Sequence, residues 1–112
     1  MPHGRVVFWF WSLVSASFVV GALVHAYALF APDSSPAWRH ALFVALNLGV
    51  AWGCWRRPRW FVWVFGLLLV QQLSSHGSAL ANAWPERIDW RSVLVLIWMP
   101  AVALALWRGR AR

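Results

Sequence analysis

Four apolar stretches, residues 6–31, 37–55, 60–82 and 90–107, occupy almost the whole chain, and only short polar breaks separate them. A helix crossing a hydrocarbon core of about 30 Å needs about 20 residues, and all four stretches are long enough. The breaks carry turn chemistry. "APDSSPAW" sets Pro32 and Pro36 around Asp33 and two serines, so Asp33 or Ser35 is expected to cap the second helix, with Pro36 in its first turn. "CWRRPRW" places Pro58 among arginines, and "WPERIDW" opens on Pro85. The expected fold is an all-α membrane protein, a single domain over residues 1–112 with four transmembrane helices in an up-down bundle.

Charge supports that reading. Only 12% of the residues are charged, against roughly 25% in ordinary soluble domains, too few to cover a surface in water. The net charge of +7 comes from ten basic residues, all arginine, gathered in short clusters between apolar runs. Such clusters set topology, and no basic helix or aromatic RNA-binding sheet pattern accompanies them, so nucleic acid is not an expected partner. The lack of lysine excludes Schiff-base chemistry, a retinal pigment included. Cys54 is the only cysteine. It excludes an intrachain disulfide and a two-cysteine thiol enzyme, and reads as a small packing residue near a helix end.

Tryptophan and arginine give register and orientation. Trp38 and Trp55 bracket the second segment, Trp60 and Trp84 the third, and Trp90 and Trp107 the fourth, while Trp9 and Trp11 mark the start of the first. Tryptophan prefers the headgroup level, which sets the ends of each span. Arg5, Arg56, Arg57, Arg59, Arg108, Arg110 and Arg112 fall at one set of ends. Arg39, Arg87 and Arg91 fall at the other, together with all three acids, Asp33, Glu86 and Asp89. The arginine bias predicts that both termini are cytoplasmic, in a multi-pass protein of the cell membrane, which in a bacterium is the inner membrane. "AYA" at residues 26–28 resembles a signal-peptide cleavage site, but the apolar run before it exceeds the usual length, so an uncleaved first span is expected.

The third segment changes character halfway. "WFVWVFGLLLV" runs into "QQLSSHGSALAN", residues 71–82. If residues 60–82 did not cross, the arginine clusters at 56–59 and 108–112 would lie on opposite sides, so the polar half is expected to span the outer leaflet facing other helices. His25, His40 and His76 stand one or two turns inside the outer ends of three different helices. His25 follows Ser17 and Gly21 at steps of four, a small-residue face suited to close helix contact. His40, Val44, Asn47, Ala51 and Cys54 form a stripe on the second helix. Gln72 and His76 share one stripe on the third, and Gln71, Ser75, Ser78 and Asn82 make its neighbour. Pro100 is expected to kink the fourth helix, with Ala101 and Ala105 as its close-packing face.

Few chemistries fit these residues. The predicted spans contain no carboxylate, and neither an HExxH motif nor a Gly-rich phosphate loop occurs. Ser74, Ser75 and Ser78 near His76 lack a carboxylate to orient a base, so an enzyme is not the expected class. The size is similar to that of the small multidrug resistance transporters. That family depends on a glutamate in its first helix, and residues 6–31 hold none, so the resemblance stops at length and span count.

Two classes remain. One is a non-catalytic accessory or assembly subunit, docked on a larger membrane protein or on further copies of itself through small-residue faces and the polar surface. The other is a carrier of haem b, a transition metal or a quinone. In that reading His25, His40 and His76 are metal ligands, His25 and His76 the better haem pair, and Gln71, Gln72 and Asn47 the groups that orient the rings.

Overall fold

The structure, a computed structural model, describes residues 2–31 and 36–109, with side chains from Gly4 onward. The expectations placed on Pro32, Asp33, Ser35, Arg110 and Arg112 lie outside the described residues. Among the described residues the chain is all-α, with four helices: α1, Pro2–Phe30; α2, Ala37–Arg56; α3, Phe61–Ala83; and α4, Trp90–Gly109. They coincide with the four apolar stretches to within two residues at most ends. The exception is the start of α1, which reaches back to Pro2 because proline suits a first helical turn and no second proline falls within the helix.

Two compact units divide the chain, Met1–Arg57 and Pro58–Arg112. Each is an antiparallel helical hairpin. In the first, Phe8 near the start of α1 meets Trp55 at the end of α2 at 5.8 Å between ring centroids, and His25 near the end of α1 meets His40 near the start of α2. In the second, Trp63 early in α3 meets Trp107 late in α4 at 5.8 Å, and His76 late in α3 meets Ser92 early in α4.

The helix ends correct one expectation. Pro36 is itself the N-cap of α2, with extended backbone angles (φ −66°, ψ 147°), and does not enter the first turn. No side-chain cap bonds this end, consistent with a residue that offers no polar side chain. At the other end of α2, Arg57 adopts the left-handed conformation (φ 48°, ψ 54°), and its N–H donates to Gly53 O at 2.7 Å. That is a helix stop normally given to glycine, and the proline that follows bars continuation. Asp89 precedes α4, and its carbonyl accepts the helix's Val93 N–H at 3.1 Å.

The inward faces follow helical spacing. In α2 the expected stripe holds: His40, Ala51 and Cys54 are buried, with Val44 and Asn47 half-buried between them. In α1 the packed face runs through Trp11, Val14, Gly21, Ala22 and His25, leaving Ser17 exposed at its edge. In α4 the packed face is Ser92, Met99, Val102 and Leu106. Of the two alanines expected on this face, Ala101 is exposed and Ala105 is half-buried beside these larger side chains. The helix continues through Pro100.

Among the described residues, two helices, over Gly4–Phe30 and Trp90–Gly109, are long and apolar enough to cross a membrane. α2 and α3 fall short of the same standard, because Arg39, His40 and Asn47 in one, and Gln71, Gln72 and His76 in the other, interrupt their apolar surface.

Candidate functional site

The three histidines singled out from the sequence fall into two clusters, one at the connected end of each hairpin. In the first, the Nδ1 atoms of His25 and His40 stand 3.3 Å apart. One imidazole must donate and the other accept across that gap, so the pair holds at most one proton between the two nitrogens. Phe43 fixes the ring of His25 by stacking at 5.0 Å and 20°, and the Arg39 guanidinium lies 5.8 Å from the other partner in the stack, Phe43. Arg39, His40 and Phe43 share one turn of α2, so a single turn supplies the second imidazole, the stacking ring and the cation.

One turn deeper, Asn47 meets Gly21. A Cβ built on Gly21 would stand 2.7 Å from Asn47 Oδ1 and 3.2 Å from its Cγ, closer than carbon and oxygen atoms pack. Asn47 Nδ2 donates to Phe43 O at 2.8 Å, which anchors the carboxamide in that position. The glycine on the small-residue face of α1 is therefore what admits the asparagine.

In the second hairpin the order is carboxylate, hydroxyl, imidazole. Ser92 Oγ donates to Asp89 Oδ2 at 2.9 Å, and Ser92 N–H donates to Asp89 Oδ1 at 3.4 Å. The hydroxyl is also 3.0 Å from His76 Nδ1. With its own hydrogen given to an ionised carboxylate, the hydroxyl meets the ring as an acceptor. Nδ1 of His76 is then the donor, so a neutral ring would leave its lone pair on Nε2. This order differs from a nucleophilic triad, where the imidazole lies between carboxylate and hydroxyl and takes the hydroxyl's proton.

Asp89 sits outside α4, and its carboxyl lies below the usual carboxylate range. The Ser92 hydroxyl is the main cause, aided by the Ser92 N–H, Arg87 and His76 against a desolvation cost. Asp89 and Ser92 were absent from the expected site. Their signal is D-x-x-S ahead of an apolar run, a helix-start pattern that also brings a hydroxyl within reach of the preceding helix.

The remaining candidates divide. Gln72 is half-buried and donates from Nε2 to Gln71 Oε1 at 2.6 Å. Gln71, Ser74, Ser75, Ser78 and Asn82 are exposed along α3. The residue that orients the ring of His76 is Ser92, and the amide donor of Asn47 goes to its own helix. Among the described residues, no group of three or more His, Cys, Asp or Glu side chains gathers as a metal site. No family model, curated protein or solved structure matches the chain.

Proposed function

We propose that this chain is a small multi-pass membrane protein, with four spans and both termini cytoplasmic, that serves as a non-catalytic accessory or assembly subunit. Its docking surface is the polar face of α3, and the occupant is a helix of a partner membrane protein. One observation carries the reading: Gln71, Ser75, Ser78 and Asn82 follow one another at steps of four, three and four, and all four are exposed.

Support for the membrane comes from the rest of the surface. Leu13, Leu23, Leu67, Leu94 and Ile97 are 63–76% exposed, spread over three helices. Apolar surface of that extent is costly in water and neutral in lipid. In hydrocarbon the cost reverses, and each polar group without a partner costs several kcal/mol, roughly. A row of amide and hydroxyl side chains inside a span is thus stable only against protein, where such groups contribute about 0.6–2 kcal/mol each.

Photo-crosslinking tests the assignment. A photoreactive phenylalanine analogue at Ser75 or Ser78 should give the same discrete protein adduct, and Gln71→Leu should weaken it. The analogue at Leu67, on the apolar half of α3, should give lipid adducts. An adduct of two copies of this chain would identify the partner as the chain itself. Lipid adducts from Ser75 and Ser78 as well would overturn the docking surface.

A second reading, a carrier of a transition metal, haem b or quinone, draws on the histidine pair. Two imidazole nitrogens bound to one tetrahedral metal at about 2.0–2.1 Å stand roughly 3.3 Å apart, and the Nδ1 atoms of His25 and His40 are separated by 3.3 Å. The pair supplies two donors of four. In the second unit, and separately, His76 has Ser92 on its Nδ1, the kind of support that ligating histidines use. Visible absorption of the purified protein after cobalt(II) addition, lost in His25→Ala and His40→Ala, would favour this reading. A colourless, metal-free protein with no extractable quinone would remove it and leave the docking surface standing.

A further inference from the structure

The open end of the first hairpin carries a feature that neither reading uses. Gly4, Val7, Phe8 and Trp11 of α1, with Trp55 of α2 and Arg57 just beyond it, line a cavity of about 190 Å³. We propose that this cavity binds the headgroup of an anionic phospholipid, with Arg57 as the partner of its phosphate. The assignment rests on the membrane reading above and gives this end of the hairpin its own ligand.

The backbone builds the site. The left-handed turn at Arg57 ends α2 and returns the side chain over α1, where the guanidinium lies 4.9 Å from the ring centroid of Trp11. Its Nη1 makes one long bond, to Cys54 O at 3.4 Å. A guanidinium has five N–H donors, so most of the fork is left for an acceptor. Phe8 and Trp55, edge to face at 5.8 Å, form the wall. Gly4 also lines the cavity, and a Cβ built on it would meet nothing within 4 Å.

Charge and size then select the occupant. Arg5 and Arg56 flank these residues in sequence, and the three acids of the chain, Asp33, Glu86 and Asp89, belong to other segments. The N-terminal end of α1 adds a positive dipole. The volume lies below the roughly 300–1,000 Å³ of small-molecule pockets, and suits a phosphate with glycerol and a few methylenes. A phosphodiester accepts paired hydrogen bonds from arginine, and aromatic rings cover the adjoining carbons. Free phosphate shares the first of these interactions but has nothing to place on the rings. Basic pockets between helices on the cytoplasmic side take anionic headgroups in this way.

Native mass spectrometry of the full-length, delipidated protein tests the proposal with three probes: phosphatidylglycerol, phosphatidylcholine and inorganic phosphate. Phosphatidylglycerol should be retained one to one in preference to phosphatidylcholine. Arg57→Gln should lower that retention about five-fold, the share of one arginine at such a surface. Gly4→Phe should lower it too, by filling the cavity with every charge in place.

Retention that falls in Arg57→Gln but not in Gly4→Phe would show diffuse charge attraction and overturn the pocket. Displacement by inorganic phosphate at equal concentration would assign the site to the free ion and overturn the lipid. Should either variant misfold, photoreactive phosphatidylglycerol on the unaltered protein gives the same decision. Adducts at Phe8, Trp11 or Trp55 support the site, and adducts confined elsewhere refute it. Recovery of the chain in the carbonate-soluble fraction of cells would overturn the membrane reading itself. Loss of lipid binding by a chain that stays in the membrane overturns this site alone.

Discussion

Gly21 and Asn47 show how one missing side chain sets the distance between two helices. The Cβ of any other residue at position 21 would press on a carboxamide already bonded to Phe43 O. Gly21→Ala should release the Asn47 bond, a loss of about 1 kcal/mol. Gly21→Leu should cost more, roughly 1–3 kcal/mol, by forcing α1 from α2. Thermal unfolding in detergent measures both, and Asn47→Ala should restore part of the loss in the leucine variant. Equal losses with and without Asn47 would show that the two residues do not oppose each other. The contact was half legible in advance: the steps from Ser17 to Gly21 to His25 mark a small-residue face. Helical spacing does not say which residue of the next helix fills it. The meeting of His25 with His40 was less legible still, because equal depth in two helices leaves the rotation of each helix open.

At the scale of an element, α4 begins on a carboxylate with two tasks. Asp89 accepts from the Ser92 N–H and hydroxyl at the start of the helix, and through that hydroxyl it sets the proton of His76. Because these bonds hold the folded-state pKa of Asp89 below its ordinary 3.8, its contribution is fully present above that ordinary value. It disappears as pH falls through the lower folded value. Unfolding curves between neutral and strongly acidic pH should therefore show an acid-side loss of stability that Asp89→Asn reduces. An unchanged acid limb in that variant would remove Asp89 from the account. Ser92→Ala should remove the hydroxyl's bonds to Asp89 and His76, leaving only the backbone N–H on the carboxylate, and free His76 Nδ1, which nitrogen-15 spectra of the imidazole read as a change of tautomer. The helix itself was plain from its apolar run and its flanking tryptophans. Its start at residue 90 was legible too; what passed unread was the D-x-x-S pattern that caps it, whose hydroxyl also serves the neighbouring helix.

For the whole molecule, four helices were readable because proline and arginine interrupt the apolar runs at Pro36, Pro58 and Pro85. The membrane assignment is carried less evenly. α1 and α4 are apolar enough to cross by themselves, whereas α2 and α3 carry Arg39, Asn47, Gln71 and Gln72 along their length. In the proposed topology those two helices cross because protein covers their polar faces, and because the arginines at 56–59 and 108–112 are kept on the same side. Replacing Arg56, Arg57 and Arg59 together by glutamine should weaken that retention and mix the orientations, while substitutions at Arg87 and Arg91 should leave it unchanged. Protease protection of tagged termini reports the outcome. A single fixed orientation in the triple variant would show that these arginines do not set topology.

Four crossings are the central proposal for this chain, and sidedness tests them. With Cys54 replaced by alanine, Ser34→Cys and Arg110→Cys can each be treated with a membrane-impermeant maleimide in intact and in permeabilised cells. The proposed topology predicts that residue 34 is labelled from outside and residue 110 only after permeabilisation. Labelling of both residues from the same side would contradict it.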